Sequence, residues 1–167
     1  KMEKRYSPDQ YRFEMMNTQE LRESFLIENL FAEGEIVLVY SDVDRVIVGS
    51  AVPTGSALSL GGGKEIAAGY FAQRREVGII NTGGNGAITV DGKEYAMTKL
   101  DALYIGRGSR EITFTSVKAD EPAKFYIISY PAHAEYPTTH APISQASPLR
   151  LGTAEESNVR TIYKYIH

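Results

Sequence analysis

The spacing of hydrophobic residues changes along the chain, from a helical repeat near the start to alternation over most of the rest. In TQELRESFLIENLF, residues 18–31, apolar side chains recur every three or four positions and share one face of a helix. Asn17 or Thr18 can cap this helix, with Glu20 reaching back to the cap. The pattern predicts one short amphipathic helix.

After this segment, apolar and polar positions alternate in short runs that are rich in Val, Ile, Tyr, Phe and Thr, which is typical of strands. The runs are EIVLVYSD, DRVIVGSAV, SALSL, EVGIIN, GAITV, KEYAM, DALYI, EITFTSV and KFYIISY. Turn residues separate them at close intervals, and the helical patterns that alternating β/α units would need are missing. The chain is therefore predicted to be all-β, as an antiparallel sandwich or barrel.

The stretch 133–148, HAEYPTTHAPISQASP, is dense in Pro, Ser and Thr and is predicted to be a long surface loop or linker. His133 and His140 fall within it, seven residues apart, which favours solvated histidines over metal ligands. SNVRTIYKYIH then resumes the alternation and predicts a final strand. The environment of His167, the last residue, cannot be predicted.

The glycines of TGGNGAITV raise the question of a phosphate-binding loop. Such a loop places Lys and then Ser or Thr after its last glycine, at a turn from strand to helix. Here the glycines lead into β-branched residues instead. Gly83, Gly84 and Gly86 are therefore predicted to form a tight bend, and Asp91-Gly92 to form a type I′ hairpin turn.

Composition narrows the classes of function. The 167 residues carry 21 acidic and 18 basic side chains, a net charge of -3, with no basic block for nucleic acid or an anionic membrane. Cysteine is absent, so a thiolate zinc site and a cysteine nucleophile are excluded. The sequence shows neither a signal peptide nor an apolar run long enough to cross a bilayer, and we expect a cytoplasmic protein.

Glu76 lies seven residues before Gly83 and a VDG hairpin, which matches the second half of the first motif of cupins, a class of jelly-roll barrels. DALYIGRGSREITF is similar in spacing to the second cupin motif. Metal-binding cupins carry histidines near positions 70–72 and at position 111, where this chain has Tyr-Phe-Ala and Glu111. Since imidazole holds the ion in such barrels, no metal is expected in this one.

Glu76 and Glu111 could instead point into one barrel mouth and act as an acid and a base, if burial separated their pKa values. The more frequent alternative is that each carboxylate forms a structural pair with a neighbouring arginine at the rim of the sheet. The neighbouring arginines are Arg74, Arg75, Arg107 and Arg110.

Arg160 and Lys164 are four residues apart on the predicted last strand, so they share a face with Ile162. Two cations on one face could anchor a carboxylate, and Arg could do so through two hydrogen bonds. The same pattern also fits the polar side of an edge strand.

Several longer segments together resemble one enzyme family, the 5-keto-4-deoxyuronate isomerases, also called 4-deoxy-L-threo-5-hexosulose-uronate ketol-isomerases. The segments are TQELRESFLIENLF, YSDVDRVIVG, RREVGIINTGGNGAITVDGKEY, DALYIGRGSREITFTS, PAKFYIISYPAHAEYPT and SNVRTIYKY. They occur in this order over nearly the whole chain. Tyr163, where Asn is expected, and Thr82 are small departures.

The resemblance implies a cytoplasmic, zinc-dependent homohexamer of pectin and uronate breakdown, built from two cupin barrels. This chain would hold an N-terminal segment and helix (1–32), a metal-free cupin-like antiparallel jelly-roll barrel (33–135), and a linker and strand (136–167). The family's zinc ligands, three histidines and a glutamate, belong to the second barrel and match no residue here.

Arg160 and Ile162 are the only positions that the resemblance offers for a substrate pocket, and the catalytic base is not assigned. Two alternatives to the isomerase portion stay open. One is a non-catalytic module that binds a sugar acid or supports oligomerisation. The other is a metal-free enzyme that uses Glu76 and Glu111.

Overall fold

The computed structural model describes residues 2–165, and strands make up most of its regular structure. Its two α-helices are α1 (Gln10–Glu14) and α2 (Thr18–Phe25). Short 3₁₀ turns occupy Val43–Arg45, Phe71–Gln73 and Ile143–Gln145. The strands in chain order are β1 (Glu3–Arg5), β2 (Ile36–Ser41), β3 (Ile47–Ala51), β4 (Leu58–Ser59), β5 (Gly61–Gly63), β6 (Ala68–Tyr70), β7 (Arg75–Asn81), β8 (Gly86–Val90), β9 (Lys93–Met97), β10 (Ala102–Ile105), β11 (Ile112–Ser116), β12 (Phe125–Pro131), β13 (Thr139–Ala141), β14 (Ser147–Leu151) and β15 (Arg160–Lys164).

Two larger sheets carry the fold. The first has seven strands in the order β1-β2-β3-β12-β7-β10-β13, and the second has four in the order β4-β11-β8-β9. The β1–β2 pair is parallel, whereas the other pairs within these sheets are antiparallel. Strands β5–β6 and β14–β15 form two separate hairpins. The predicted all-β, mainly antiparallel class is confirmed.

The hydrophobic core lies between the two larger sheets, and the alternation along β7 shows how the sequence directs it there. Val77 and Ile79 are buried, whereas the alternating residues Glu76, Gly78 and Ile80 are only partly covered. Phe114 of β11 and Phe125 of β12 are both fully buried, and their ring centroids lie 5.3 Å apart. Contact between these rings ties one sheet to the other.

The predicted glycine bend and hairpin turn are both confirmed. Between β7 and β8 the chain runs close to residues 121–124, and a Cβ added at Gly84 would lie 2.1 Å from the carbonyl oxygen of Glu121. Asp91 and Gly92 have φ values of 48° and 82° and join β8 to β9, as a type I′ turn requires. These glycines therefore turn the chain and allow it to pack closely.

The predicted helix begins as expected and ends early. Asn17 and Glu20 form a full capping box, and α2 ends at Phe25 rather than continuing to residue 31. Leu26 is already extended, and its carbonyl oxygen accepts a hydrogen bond from Arg5 Nη1 at 2.6 Å. This contact to β1, a strand that the hydrophobic pattern did not predict, holds the chain after the helix. Helix α1 was not predicted either.

The prediction of a continuous loop over 133–148 was wrong. Within that range β13 pairs with β10, with His140 opposite Leu103, and β14 begins at Ser147. The backbone N–H of Ile143 donates to Asp101 Oδ1 at 2.8 Å, which fixes the chain after β13. The short strand therefore extends the edge of the larger sheet.

The seven-stranded sheet contains strands of all three predicted segments. Strand β1 lies in 1–32, β13 lies in 136–167, and the other five strands lie in 33–135. The functional division at these boundaries stays a prediction. The predicted last strand is observed as β15, while its final two residues, including His167, lie outside the described part. None of the helices found within residues 2–165 is long and apolar enough to cross a membrane.

Candidate anion-binding cleft

Arginine side chains from three distant parts of the sequence line one cleft, with a volume of about 510 Å³. Arg45 comes from the turn before β3, Arg74 and Arg75 from the start of β7, and Arg107 from the loop after β10. Antiparallel pairing brings the start of β7 beside the end of both β10 and β12. The topology thus gathers four guanidinium groups at one end of the seven-stranded sheet.

Arg75 is held rigidly in the floor of the cleft. Its side chain follows the inward parity of β7 and is only 7% exposed. Nε donates to Ser129 Oγ at 3.1 Å, and Nη2 donates to the carbonyl oxygens of Ser129 at 2.8 Å and Arg45 at 2.5 Å. Ser129 Oγ in turn donates to the carbonyl oxygen of Glu76 at 2.7 Å. Neutral acceptors therefore position the guanidinium without cancelling its charge.

Arg74 and Arg107 form the sides of the cleft. Arg74 Nη2 donates to the carbonyl oxygens of Ile66 and Ala67, which ties it to the turn between β5 and β6. Arg107 Nη1 donates to the carbonyl oxygen of Ala132 at 3.1 Å. Its Nε is buried and has no hydrogen-bond partner among the described residues. A buried donor without a partner costs about 1–3 kcal/mol, so this nitrogen is an unfavourable feature of the cleft wall.

The cleft is strongly positive. Within residues 2–165, none of its four arginines forms a salt bridge, and Glu65 is the one acidic residue among the described residues that line it. Burial lowers the pKa of the Arg75 guanidinium; Tyr40 raises it, and Arg45 lowers it further. Both lowering effects mean that the surroundings disfavour the positive charge. A bound anion would relieve this cost.

The sequence pattern predicts Arg74, Arg75 and Arg107 only as partners for carboxylates. The sequence did contain one indication of the cleft. Arg75 alternates with Val77 and Ile79 along β7 and so points towards the core, and a charged residue at such a position is unusual. Arg45 gave no comparable signal. Its turn meets β7 only through strand pairings that connect residues far apart in sequence.

Glu76, one of the two predicted barrel-mouth carboxylates, lies on the face of β7 opposite the core. Its Oε2 accepts a hydrogen bond from Tyr104 Oη at 2.8 Å. Burial, this hydrogen bond and the charge of Glu76, together with a smaller effect of Tyr136, raise the pKa of Tyr104 to about 12. Glu76 therefore faces a neutral hydroxyl on the outer face of the sheet.

Glu111 lies apart from Glu76. It is exposed just before β11, in the four-stranded sheet, and its backbone N–H donates to Asp91 Oδ1 at 2.8 Å. In the described part of the chain, no hydrogen bond or salt bridge joins the two glutamates or links either one to an arginine side chain. Glu76 lies on the seven-stranded sheet and Glu111 beside the four-stranded one, and their role as an acid and a base stays a prediction.

The positions that carry histidines in metal-binding cupins do not fit a zinc site. Phe71 and Ala72 are buried in the hydrophobic core. Over residues 2–165, no group of three His, Cys, Asp or Glu side chains is placed to hold a metal ion. The side chains at these positions therefore do not fit a zinc ion.

Arg160 and Ile162, the predicted substrate-pocket residues, lie on the exposed hairpin strand β15. Arg160 Nη1 donates to the carbonyl oxygen of Asn158 at 3.3 Å, and the side chain of Ile162 is 44% exposed. Neither residue lines the arginine cleft. Their part in substrate binding stays a prediction.

The two histidines of the predicted loop differ from each other. His133 is exposed, in line with the prediction. His140 is not the solvated loop residue that was predicted, because it lies on β13 with a buried Nε2, 3.9 Å from Asp101 Oδ2. Strand pairing with β10 draws it against the sheet.

A comparison with known protein families shows which family this chain belongs to. A match to the KduI/IolB family extends over residues 25–167, most of the chain. The chain belongs to this family. KduI/IolB relatives include the 4-deoxy-L-threo-5-hexosulose-uronate ketol-isomerases of Caldicellulosiruptor bescii and Shouchella clausii, which are 49% and 48% identical to it over 166 residues. The predicted resemblance is confirmed.

These KduI/IolB relatives are longer than the chain. The match covers 99% of this chain and 60% of each of the two relatives. A crystal structure of an IolB-like protein from Salmonella typhimurium is also similar, with a TM-score of 0.56 and 12% identity, over 72% of this chain and 44% of that one. At that identity the structural likeness supports the fold.

Proposed function

We propose that this chain is a portion of a ketol-isomerase that interconverts 5-keto-4-deoxyuronate and 3-deoxy-D-glycero-2,5-hexodiulosonate in the breakdown of pectin and uronates. The observation that carries the proposal is 49% identity to a named 4-deoxy-L-threo-5-hexosulose-uronate ketol-isomerase over 166 residues. Identity at that level extends through nearly the whole chain. Membership of the KduI/IolB family also supports the proposal.

A ketol isomerisation moves a proton between adjacent carbons and develops negative charge on oxygen, so it needs a base and a group that stabilises the oxyanion. The described residues do not assemble a metal-ligand cluster. We propose that zinc, implied by the resemblance, is bound by a part of the longer protein that this chain does not include. This chain then contributes a metal-free companion to a cytoplasmic homohexamer, with no role for nucleic acid or membrane.

A chimera tests the proposal. The matching 60% of the C. bescii relative is replaced by this chain, and conversion of 5-keto-4-deoxyuronate is measured with the chimera, the intact relative and this chain alone. We expect the chimera to be active and the chain alone to be inactive. Sedimentation of the chimera is expected to give a hexamer.

The intact relative is the control for substrate and assay. A chimera that circular dichroism and sedimentation show to be folded and assembled, but that gives no turnover, would contradict the proposal. Turnover by the 167-residue chain alone would contradict the companion role and favour the metal-free enzyme.

A further inference from the structure

The arginine cleft has the features of a ligand site that the isomerase proposal does not use. We propose that it binds a small hydroxylated carboxylate, with the carboxylate held between Arg75 and Arg107. The four guanidinium groups of the cleft come from three separate parts of the chain and form no salt bridge with a described residue. Positive charge gathered in this way is costly unless an anion compensates it.

The guanidinium groups are prepared for an anion. Arg75 is fixed by three hydrogen bonds to neutral oxygens, and Arg107 by one to Ala132, so little side-chain entropy remains to be lost on binding. Arg107 Nε is buried and unpaired among the described residues. Hydrogen bonds already engage Nε and both Nη2 hydrogens of Arg75, which leaves its Nη1 to donate, and Arg107 keeps Nη2. Each guanidinium can therefore donate a charge-assisted hydrogen bond to one oxygen of a carboxylate.

The shape and the remaining lining favour a small organic acid over an inorganic ion. A volume of about 510 Å³ is within the range of small-molecule sites and exceeds what an inorganic anion fills. Ile66, Phe71 and Pro131 supply apolar surface, while Glu65 and Tyr40 supply oxygens. The Glu65 carboxylate would repel a second anionic group and accept hydrogen bonds from hydroxyls. A molecule with one carboxylate and several hydroxyls can bind the arginines through its carboxylate and the oxygens of Glu65 and Tyr40 through its hydroxyls.

Isothermal titration of the 167-residue chain with D-galacturonate tests this directly. Galactose, of similar size without the carboxylate, and inorganic phosphate are titrated beside it. We expect galacturonate to bind, and galactose and phosphate to bind at least about tenfold more weakly. Galactose lacks the carboxylate that the arginines bind, and phosphate lacks the hydroxylated carbon skeleton. Raising the salt concentration is expected to weaken galacturonate binding.

Two variants and one control locate the site. Arg107→Gln removes a guanidinium that holds the carboxylate and is expected to reduce galacturonate affinity at least about tenfold. Arg45→Gln removes an exposed charge of the cleft and is expected to reduce affinity by about two- to fivefold. Arg45 has an exposed side chain without a hydrogen bond to a described residue, so its loss leaves the fold intact. Arg150→Gln removes an exposed arginine outside the cleft, on β14, and should leave affinity unchanged.

Each contrary result overturns the inference. Equal binding of galactose would show that the carboxylate is not recognised, and tighter binding of phosphate would contradict the ligand class. Unchanged affinity in both cleft variants, or no binding by a folded wild-type chain at millimolar galacturonate, would exclude the site. Binding here requires no turnover, so the result is independent of the chimera assay.

Discussion

A single buried amide, Asn81, holds together the bend that follows β7. It is fully buried and makes four hydrogen bonds, all with backbone groups. Its Nδ2 donates to the carbonyl oxygens of Gly84 and Met97 at 2.8 and 3.1 Å. Its Oδ1 accepts from the N–H groups of Gly83 and Lys124, both at 3.1 Å. The side chain thus joins three segments that are distant in sequence.

Replacing this amide by a carboxylate of the same shape should be strongly destabilising. In Asn81→Asp, a carboxylate oxygen faces two carbonyl oxygens where two N–H donors stood, and the charge is buried without a partner. We expect the free energy of unfolding to fall by about 3 kcal/mol. Denaturant unfolding followed by circular dichroism measures the change.

Asn85→Asp is the matched control, because Asn85 is exposed in the same bend and this substitution introduces the same negative charge. We expect it to change the free energy of unfolding by less than about 0.5 kcal/mol. Similar losses in both variants would mean that net charge, rather than the hydrogen bonds of Asn81, sets the effect.

Among the elements, β13 depends on Asp101 to stay at the edge of the larger sheet. Asp101 Oδ1 accepts from the N–H of Ile143 at 2.8 Å, and Oδ2 accepts from Thr98 N at 2.7 Å and Thr98 Oγ1 at 2.8 Å. Burial by itself would raise the pKa of Asp101, but these hydrogen bonds and His140 outweigh it, and the pKa is lowered. The ionised carboxylate therefore stabilises the folded state.

Asp101→Asn should release this edge strand in a pH-dependent way. We expect a loss of about 2 kcal/mol at neutral pH, because one acceptor oxygen becomes an N–H₂ donor that faces the donors of Thr98. Since the pKa is lower in the folded state, the stabilisation is present above the unfolded carboxyl pKa of about 3.9 and is lost as pH falls through the folded value. The difference from wild type should shrink in acid.

Denaturant unfolding at neutral pH and at about pH 3 checks both parts of this expectation. The control is Asp120→Asn, which removes an exposed carboxylate and should be nearly neutral at either pH. A loss for Asp101→Asn that stays the same in acid would contradict the role of the charged carboxylate.

The same elements show how far the sequence could predict the fold. Strands such as β7 and β12 were predicted because apolar residues occupy every second position, which are the positions buried in the structure. Strand β13 has three residues between prolines, and it forms through pairing with β10, about 40 residues earlier in the chain. The arginine cleft was missed for the same reason, since its residues meet only through strand pairing.

For the molecule as a whole, stability is expected to be uneven between the two-sheet core and the hairpin β14–β15. The hairpin forms a separate sheet, and nearly all its residues are exposed. Tyr165 Oη, just beyond β15, donates to the carbonyl oxygen of Leu100 at 2.5 Å. In contrast, β7 and β12 pair on both sides and bury alternate residues in the core. Amides in the hairpin should therefore exchange with solvent through local opening, and those of β7 and β12 through global unfolding.

Asn81→Asp separates these two routes in a hydrogen-exchange experiment. Amides of β7 and β12 should exchange about a hundredfold faster in the variant, because a loss of about 3 kcal/mol in global stability corresponds to about two powers of ten. Amides of β14 and β15 should exchange at the wild-type rate, because opening of the hairpin does not involve Asn81. Asn85→Asp serves again as the control and should change neither set. If the hairpin amides accelerated together with those of β7, the hairpin would unfold only with the core, and the contact of Tyr165 with Leu100 would join them into one cooperative unit.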